Sequence, residues 1–205
     1  MFIPKFALEI CLGLPRRARL NPFGFNLSAL RADFAIAKSG FIFHAARGNI
    51  LFMKNHEYYM KEALKEAVEA FENDEVPVGA IIVHKGEIIG RAHNQIKTLK
   101  DPTAHAEIIA ITQAANFLQS ERLINCAMYS TLEPCAMCAG AMVLSRIKNL
   151  IYAAKDPKTG AHDSVFKILN NKKLNYRIKV KKGILENEAS YLMKKFFYGK
   201  RKSKA

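Results

Sequence analysis

The sequence predicts an α/β layer sandwich with parallel strands in its second half, and three observations lead there. Met60, Ala63, Leu64, Ala67, Val68 and Phe71 recur at three- and four-residue steps, one face of an amphipathic helix that begins near His56. Residues 78–83 and 87–91 are short strand-like runs on either side of His84-Lys85-Gly86, the pattern of an antiparallel hairpin. From Ala104 onward, segments patterned as helix and as strand alternate, and a crossover through a helix joins parallel strands.

The remaining elements follow in order. Residues 94–103 read as a loop. A second helix is expected over about 104–120, with Asp101 or Thr103 available as its cap and Pro102 in a position tolerated at a helix entrance. Residues 127–132 form a buried strand, 135–146 a third helix and 149–154 another strand. A last strand near 177–181 and a helix over about 186–197 complete the domain. There is no internal repeat and no low-complexity linker.

A length of 205 residues with half of them apolar and 24% charged bounds the answer to one ordinary globular domain. No apolar run approaches the roughly 20 residues of a membrane helix, so no membrane partner is expected. Four cysteines, at positions 11, 126, 135 and 138, are too few and too uneven for a disulfide framework, which points to a reducing, cytoplasmic home. The first 52 residues carry seven basic residues against Glu9 and Asp33, with no clean period. They are read as an N-terminal extension outside the fold, either a transit peptide or a frame upstream of a true start at Met53; the domain proper is 53–205.

The net charge of +14 is unevenly placed. Residues 53–147 carry 9 Lys/Arg against 12 Asp/Glu, whereas 148–205 carry 16 against 4. A basic quarter is either the footprint of a polyanion, whose counterions each contact releases, or a solvated surface.

Two short motifs carry chemistry: His105-Ala106-Glu107 and Pro134-Cys135-Ala136-Met137-Cys138, each placed where a helix begins. Cys135 and Cys138 stand at i and i+3, so their sulfurs face one way in the first helical turn, where the helix dipole favours thiolate. His105 supplies a third ligand. Three protein ligands to zinc leave one tetrahedral position open, the mark of a catalytic ion that brings its bound water's pKa to about 7. Glu107, two residues from His105, is placed to move protons between water and substrate. The pairing of H-x-E with P-C-x-x-C is the signature of zinc nucleobase deaminases. Cys126 is expected in the core, His84 and His93 on the surface, and His162 in a basic loop within possible reach of substrate.

With these residues in hand, the chain resembles the bacterial tRNA-specific adenosine deaminases from about residue 56 to residue 197. The resemblance rests on Glu75-Val76-Pro77-Val78-Gly79-Ala80, on residues 101–107 and 131–142, on Asp156-Pro157-Lys158-Thr159-Gly160-Ala161, and on Phe196-Phe197. It implies a three-layer sandwich with a mixed five-stranded sheet flanked by helices, one Zn2+ per chain and a homodimer. The implied reaction is hydrolysis of the wobble adenosine of a tRNA anticodon to inosine, with loss of ammonia. By the same resemblance Asn94 contacts the substrate nucleotide and the backbone around Ala106 helps hold the base. The segment starting at Asp156 belongs to the substrate site. An anticodon loop also accounts for the basic quarter, with Lys155, Lys158, Lys194 and Lys195 as phosphate partners and Phe197 as a stacking surface. The chain departs from the family pattern at Ala153, where a glycine is usual, and at Ala161-His162-Asp163-Ser164.

Two other readings share the motifs. One is a deaminase of a free base or nucleoside, of guanine or cytidine type, which needs neither the basic quarter nor the Asp156 loop. The other is a non-catalytic zinc-stabilised RNA-binding module, which has no use for Glu107.

Overall fold

Asn55 opens the first helix of the domain. Its side-chain oxygen accepts the Tyr58 N–H at 2.8 Å, capping α1 (His56–Glu72), whose buried stripe of Met60, Ala63, Leu64 and Ala67 is the one the periodicity predicts. The computed structural model describes residues 41–46 and 49–202; the expectations about residues 1–40 lie outside the described residues. Just before Asn55, β1 (Phe41–Ala46) and β2 (Asn49–Lys54) pair as a separate antiparallel two-stranded sheet. The sequence reading places no strand there, because these apolar runs lack the two-residue alternation that distinguishes a strand. The boundary expected at Met53 falls within β2.

The main sheet has five strands in the order β4-β3-β5-β6-β7, built from β3 (Gly79–His84), β4 (Glu87–His93), β5 (Ala127–Leu132), β6 (Asn149–Ala154) and β7 (Lys179–Lys182). β3 runs antiparallel to both β4 and β5, and β5, β6 and β7 are mutually parallel, so the sheet is mixed as expected. Lys85 and Gly86 both take positive φ in the turn between β3 and β4, the twist a two-residue hairpin needs.

Successive strand residues face opposite layers. Ala80, Ile82, Met128, Leu150 and Tyr152 pack toward α3 (Ala106–Leu118) and α4 (Ala136–Leu144). Ile81, Val83, Tyr129, Ile151 and Ala153 pack toward α1 and toward Ala189 of α5 (Glu186–Lys202). Both faces are covered, which is why these strands read as continuous apolar runs. At Gly79 an added Cβ would lie 2.1 Å from the Ala63 carbonyl oxygen, so a glycine is what lets α1 approach the sheet this closely.

The structure refines five details. The expected loop over 94–103 contains a single helical turn, α2 (Ile96–Leu99). Helix α3 is capped by His105 rather than by Asp101 or Thr103; Asp101 instead accepts the N–H and hydroxyl of Thr103 in a local turn of its own. β7 starts two residues later than expected, and α5 continues to Lys202. Ala153 sits buried in the middle of β6 and is not among the positive-φ residues, so the missing glycine costs the backbone nothing.

Candidate active site

Two helix N-termini meet at the ends of β5 and β6, and each contributes its cap residue. His105 caps α3 and Cys135 caps α4, both in extended backbone conformation. Cys138 follows in the first turn of α4. His105 Nδ1 lies 3.7 Å from Cys135 Sγ and 3.6 Å from Cys138 Sγ. All three ligand atoms fall within 4.8 Å of one another. Tetrahedral bonds of about 2.0 Å to nitrogen and about 2.3 Å to sulfur hold ligand atoms about 3.6 Å apart, so these donors fit a shared metal ion. Among the described residues no other group of this kind forms.

The electrostatics suit metal ligation. Cys135 is brought down to about 4, first by the Cys138 hydrogen bond and then by His105, against the burial that alone would raise it. Cys138 is pushed up by its hydrogen bond to Cys135 and by burial. His105 is raised by its contact with Cys135, followed by the opposing effect of burial and by Glu107.

Glu107 is 3% exposed, with Oε2 3.6 Å from Cys138 Sγ and Oε1 3.4 Å from Ser130 Oγ. Burial raises its pKa above the ordinary carboxylate value, the direction that suits a group exchanging protons near neutrality.

Above this floor opens a cavity of about 460 Å³. It is lined by His105, Glu107 and Cys135 below, by Asn94, Val76, Val78 and Ile96 on one wall, and by Lys155, Asp156, Pro157, Lys158 and Thr159 on another. Met193, Lys194 and Phe197 of α5 close it from the third side. Asn94, buried at 4% exposure, accepts the Ala106 N–H on Oδ1 at 2.9 Å. That bond commits the oxygen and leaves the amide NH2 as the end with donors to spare. Asp156 shapes its own loop, accepting the Lys158 N–H at 2.9 Å and the Thr159 hydroxyl.

Of the residues singled out from the sequence, Asn94, His105, Glu107, Cys135, Lys155, Asp156, Lys158, Lys194 and Phe197 line the cavity. Cys138 lies buried behind it, and Ala106 is fully buried with its N–H given to Asn94. Lys195 is not in the lining; its ammonium lies over the Phe71 and Tyr191 rings. Phe196 is buried against Phe71, so only the second member of the aromatic pair reaches the cavity. His162 also stays out of the lining and bonds the Tyr152 hydroxyl at 3.1 Å. Cys126 is fully buried and its thiol is pushed up to about 11 by burial, as a core cysteine.

Two buried carboxylates escaped the sequence reading. Glu75 accepts the N–H groups of Lys97 and Thr98 at 2.8 Å each and the Thr98 hydroxyl at 3.1 Å, which is what turns part of the expected loop into α2. Glu133, 1% exposed, accepts N–H groups from Asp156, His162, Asp163 and Ser164 and the Ser164 hydroxyl. Burial alone would raise Glu133, but these donors hold it below the ordinary carboxylate value. The available signal was an acidic residue ending a buried apolar strand, where a charge survives only if something pairs with it.

Comparison with known proteins bears on this arrangement. The family model described as MafB19-like deaminase matches residues 54–201. The tRNA-specific adenosine deaminase of Aquifex aeolicus (strain VF5) is 55% identical over 141 residues, which cover 69% of this chain and 93% of that one. The tRNA-specific adenosine deaminase of Bacillus subtilis (strain 168) is 45% identical over 152 residues, 74% of this chain and 94% of that one. A structure solved in work on A-to-I editing by tRNA:A34 deaminases at the wobble position superposes with a TM-score of 0.64 at 42% identity, covering 66% of this chain and 98% of that one.

Proposed function

Since the chain belongs to the tRNA-specific adenosine deaminase family, we propose that it hydrolyses the wobble adenosine of a tRNA anticodon to inosine, using one zinc ion held by His105, Cys135 and Cys138. The observation that carries this reading is the position of Glu107, a buried carboxylate with a raised pKa beside the three ligands on the floor of a cavity with a basic and aromatic rim. When bound, zinc supplies the Lewis acidity that makes water a competent nucleophile near neutral pH.

The chain's own residues handle the rest. Glu107 takes a proton from the attacking water and passes it to the ring nitrogen as the amidine carbon becomes tetrahedral; it then takes the proton of the new hydroxyl and gives it to the amino group, which leaves as ammonia as the C–N bond breaks and the carbonyl forms. Asn94 donates from its amide NH2 to the substrate nucleotide, and Ala106 serves the site by fixing that amide through its N–H. Val76, Val78 and Ile96 give the base an apolar wall that excludes water. Lys155, Lys158 and Lys194 meet phosphates of the loop, Asp156 holds its own lysine-bearing turn, and Phe197, 42% exposed, stacks on a base next to the flipped one. A free base or nucleoside would leave this rim without work.

The chain acts in the cytoplasm as a homodimer. No helix among the described residues is long and apolar enough to cross a membrane. For the dimer, Met137, Gly140, Ala141 and Leu144 form an outward stripe on α4 at helical spacing, with Leu144 81% exposed. The test is one experiment in two stages. Light scattering of the purified chain is expected to give the mass of two chains; a one-chain mass removes the dimer. Incubation with tRNA followed by sequencing is expected to show the adenosine read as G, the signature of inosine, at the wobble position alone. Conversion of free nucleosides with untouched tRNA would transfer the site to a small substrate.

A further inference from the structure

We propose that Glu133 is a positioning residue for RNA recognition: its buried carboxylate holds residues 156–164 as the rim that receives the anticodon loop. It thereby sets substrate affinity, apart from the proton chemistry of the floor. The inference rests on the deaminase reading above and adds to it a residue that touches neither metal nor water.

The bonding is one-sided. Glu133 Oε1 accepts the N–H groups of His162 at 3.0 Å, Asp163 at 2.8 Å and Ser164 at 3.1 Å. Oε2 accepts the Asp156 N–H at 3.2 Å and the Ser164 hydroxyl. An ionised carboxylate has about four lone-pair directions, so five donors saturate it. Although Glu133 borders the cavity, it has no capacity left to act as a second base beside Glu107.

The loop is also fitted to that carboxylate in shape. A Cβ on Gly160 would lie 2.5 Å from Glu133 Cδ and 2.6 Å from the Asp156 carbonyl oxygen, so the loop passes too close for any side chain there. The backbone on either side of Glu133 completes the attachment. Its own N–H donates to the Ala154 carbonyl at 2.8 Å, the Ala161 N–H donates to the Pro134 carbonyl at 2.9 Å, and Cys135 forms a bridge with Gly160. One short stretch, 133–135, thus fixes the loop that carries Asp156 and Lys158 against the floor that carries Cys135. Loops that bear recognition residues usually gain precision from such a buried anchor.

The test uses the full chain loaded with zinc and an anticodon stem-loop with adenosine at the wobble position. Glu133→Gln replaces an acceptor oxygen by an NH2 group facing N–H donors, and Ser164→Ala removes one donor of the five. For Glu133→Gln the expected result is a KM at least ~10-fold higher, with kcat changed by less than about threefold. Zinc content should be unchanged, and the amides of residues 156–164 should exchange hydrogen faster. Ser164→Ala is expected to shift KM the same way by about two- to fivefold, and it carries the test if Glu133→Gln does not fold. A fall in kcat at constant KM, loss of zinc, or unchanged amide exchange in a folded variant overturns the proposal. If the wild-type chain neither binds nor converts the stem-loop, the deaminase reading itself falls. A wild-type chain that converts it, beside variants that do so with the same KM, removes only Glu133.

Discussion

The floor and the rim of the cavity are each organised around a buried carboxylate, and the two groups work in opposite senses. Glu107 has a sulfur and a hydroxyl as its neighbours, and burial raises its pKa. Glu133 has five donors, and its pKa is lowered. Burial is common to both, so the number of hydrogen bonds decides. A carboxylate short of donors is ready to trade protons. One saturated with them is a fixed anchor. The floor is therefore suited to chemistry and the rim to recognition.

That contrast can be broken most directly at the floor. Glu107→Gln is expected to lower kcat by at least ~1000-fold while metal content and affinity for the stem-loop stay at wild-type levels. Turnover within tenfold of wild type would take the proton traffic away from Glu107. At the rim the expected effects are on binding. The double variant Lys158→Ala, Lys194→Ala should weaken stem-loop binding and flatten its dependence on log salt by about 1.4, some 0.7 per phosphate contact on a single strand. A slope equal to that of the wild type would mean that these lysines do not meet phosphate.

The smallest expected effect concerns how the rim helix is tied down. Asp74 pairs with Lys200 near the end of α5 and with Lys97 of α2 at 3.0 Å, and the Lys200 hydrogen bond is the first of the causes that lower its pKa. A lowered folded-state value adds stability above the unfolded carboxylate pKa and loses it as pH falls through the folded one. Because Asp74 is largely exposed, the contribution is about 0.5 kcal/mol or less. Thermal unfolding of Asp74→Asn should therefore lie slightly below wild type at about pH 6, and the two should converge as pH falls through the lowered folded-state pKa of Asp74. A difference that persists in acid would assign it to packing.

Much of the fold was legible because its signals are local. The stripe from Met60 to Phe71 and the alternation after Ala104 fixed the helices and the parallel half of the sheet. Local signals failed where a distant group intervened. Asp101 and Thr103 looked like caps for α3, yet they bond each other, and His105 takes the cap position with Asn94 supplying the hydrogen bond from 12 residues away. The single turn of α2 depends on Glu75, 22 residues earlier than the N–H it accepts from Lys97. Phe196 and Phe197 read alike, but only packing against Phe71 decides which is buried.

By itself, then, the sequence determined which side chains gather at the floor. The spacings of two and three residues in His105-Ala106-Glu107 and Cys135-Ala136-Met137-Cys138 lie within one helical turn, where backbone geometry alone sets side-chain direction. Only the tertiary structure decided the rim. Glu133 finds its donors 23 to 31 residues away, and no local rule links an acidic residue at a strand end to a loop that returns to it after the next strand. A buried charge has to be paired, but which segment pairs it is settled when the sheet closes.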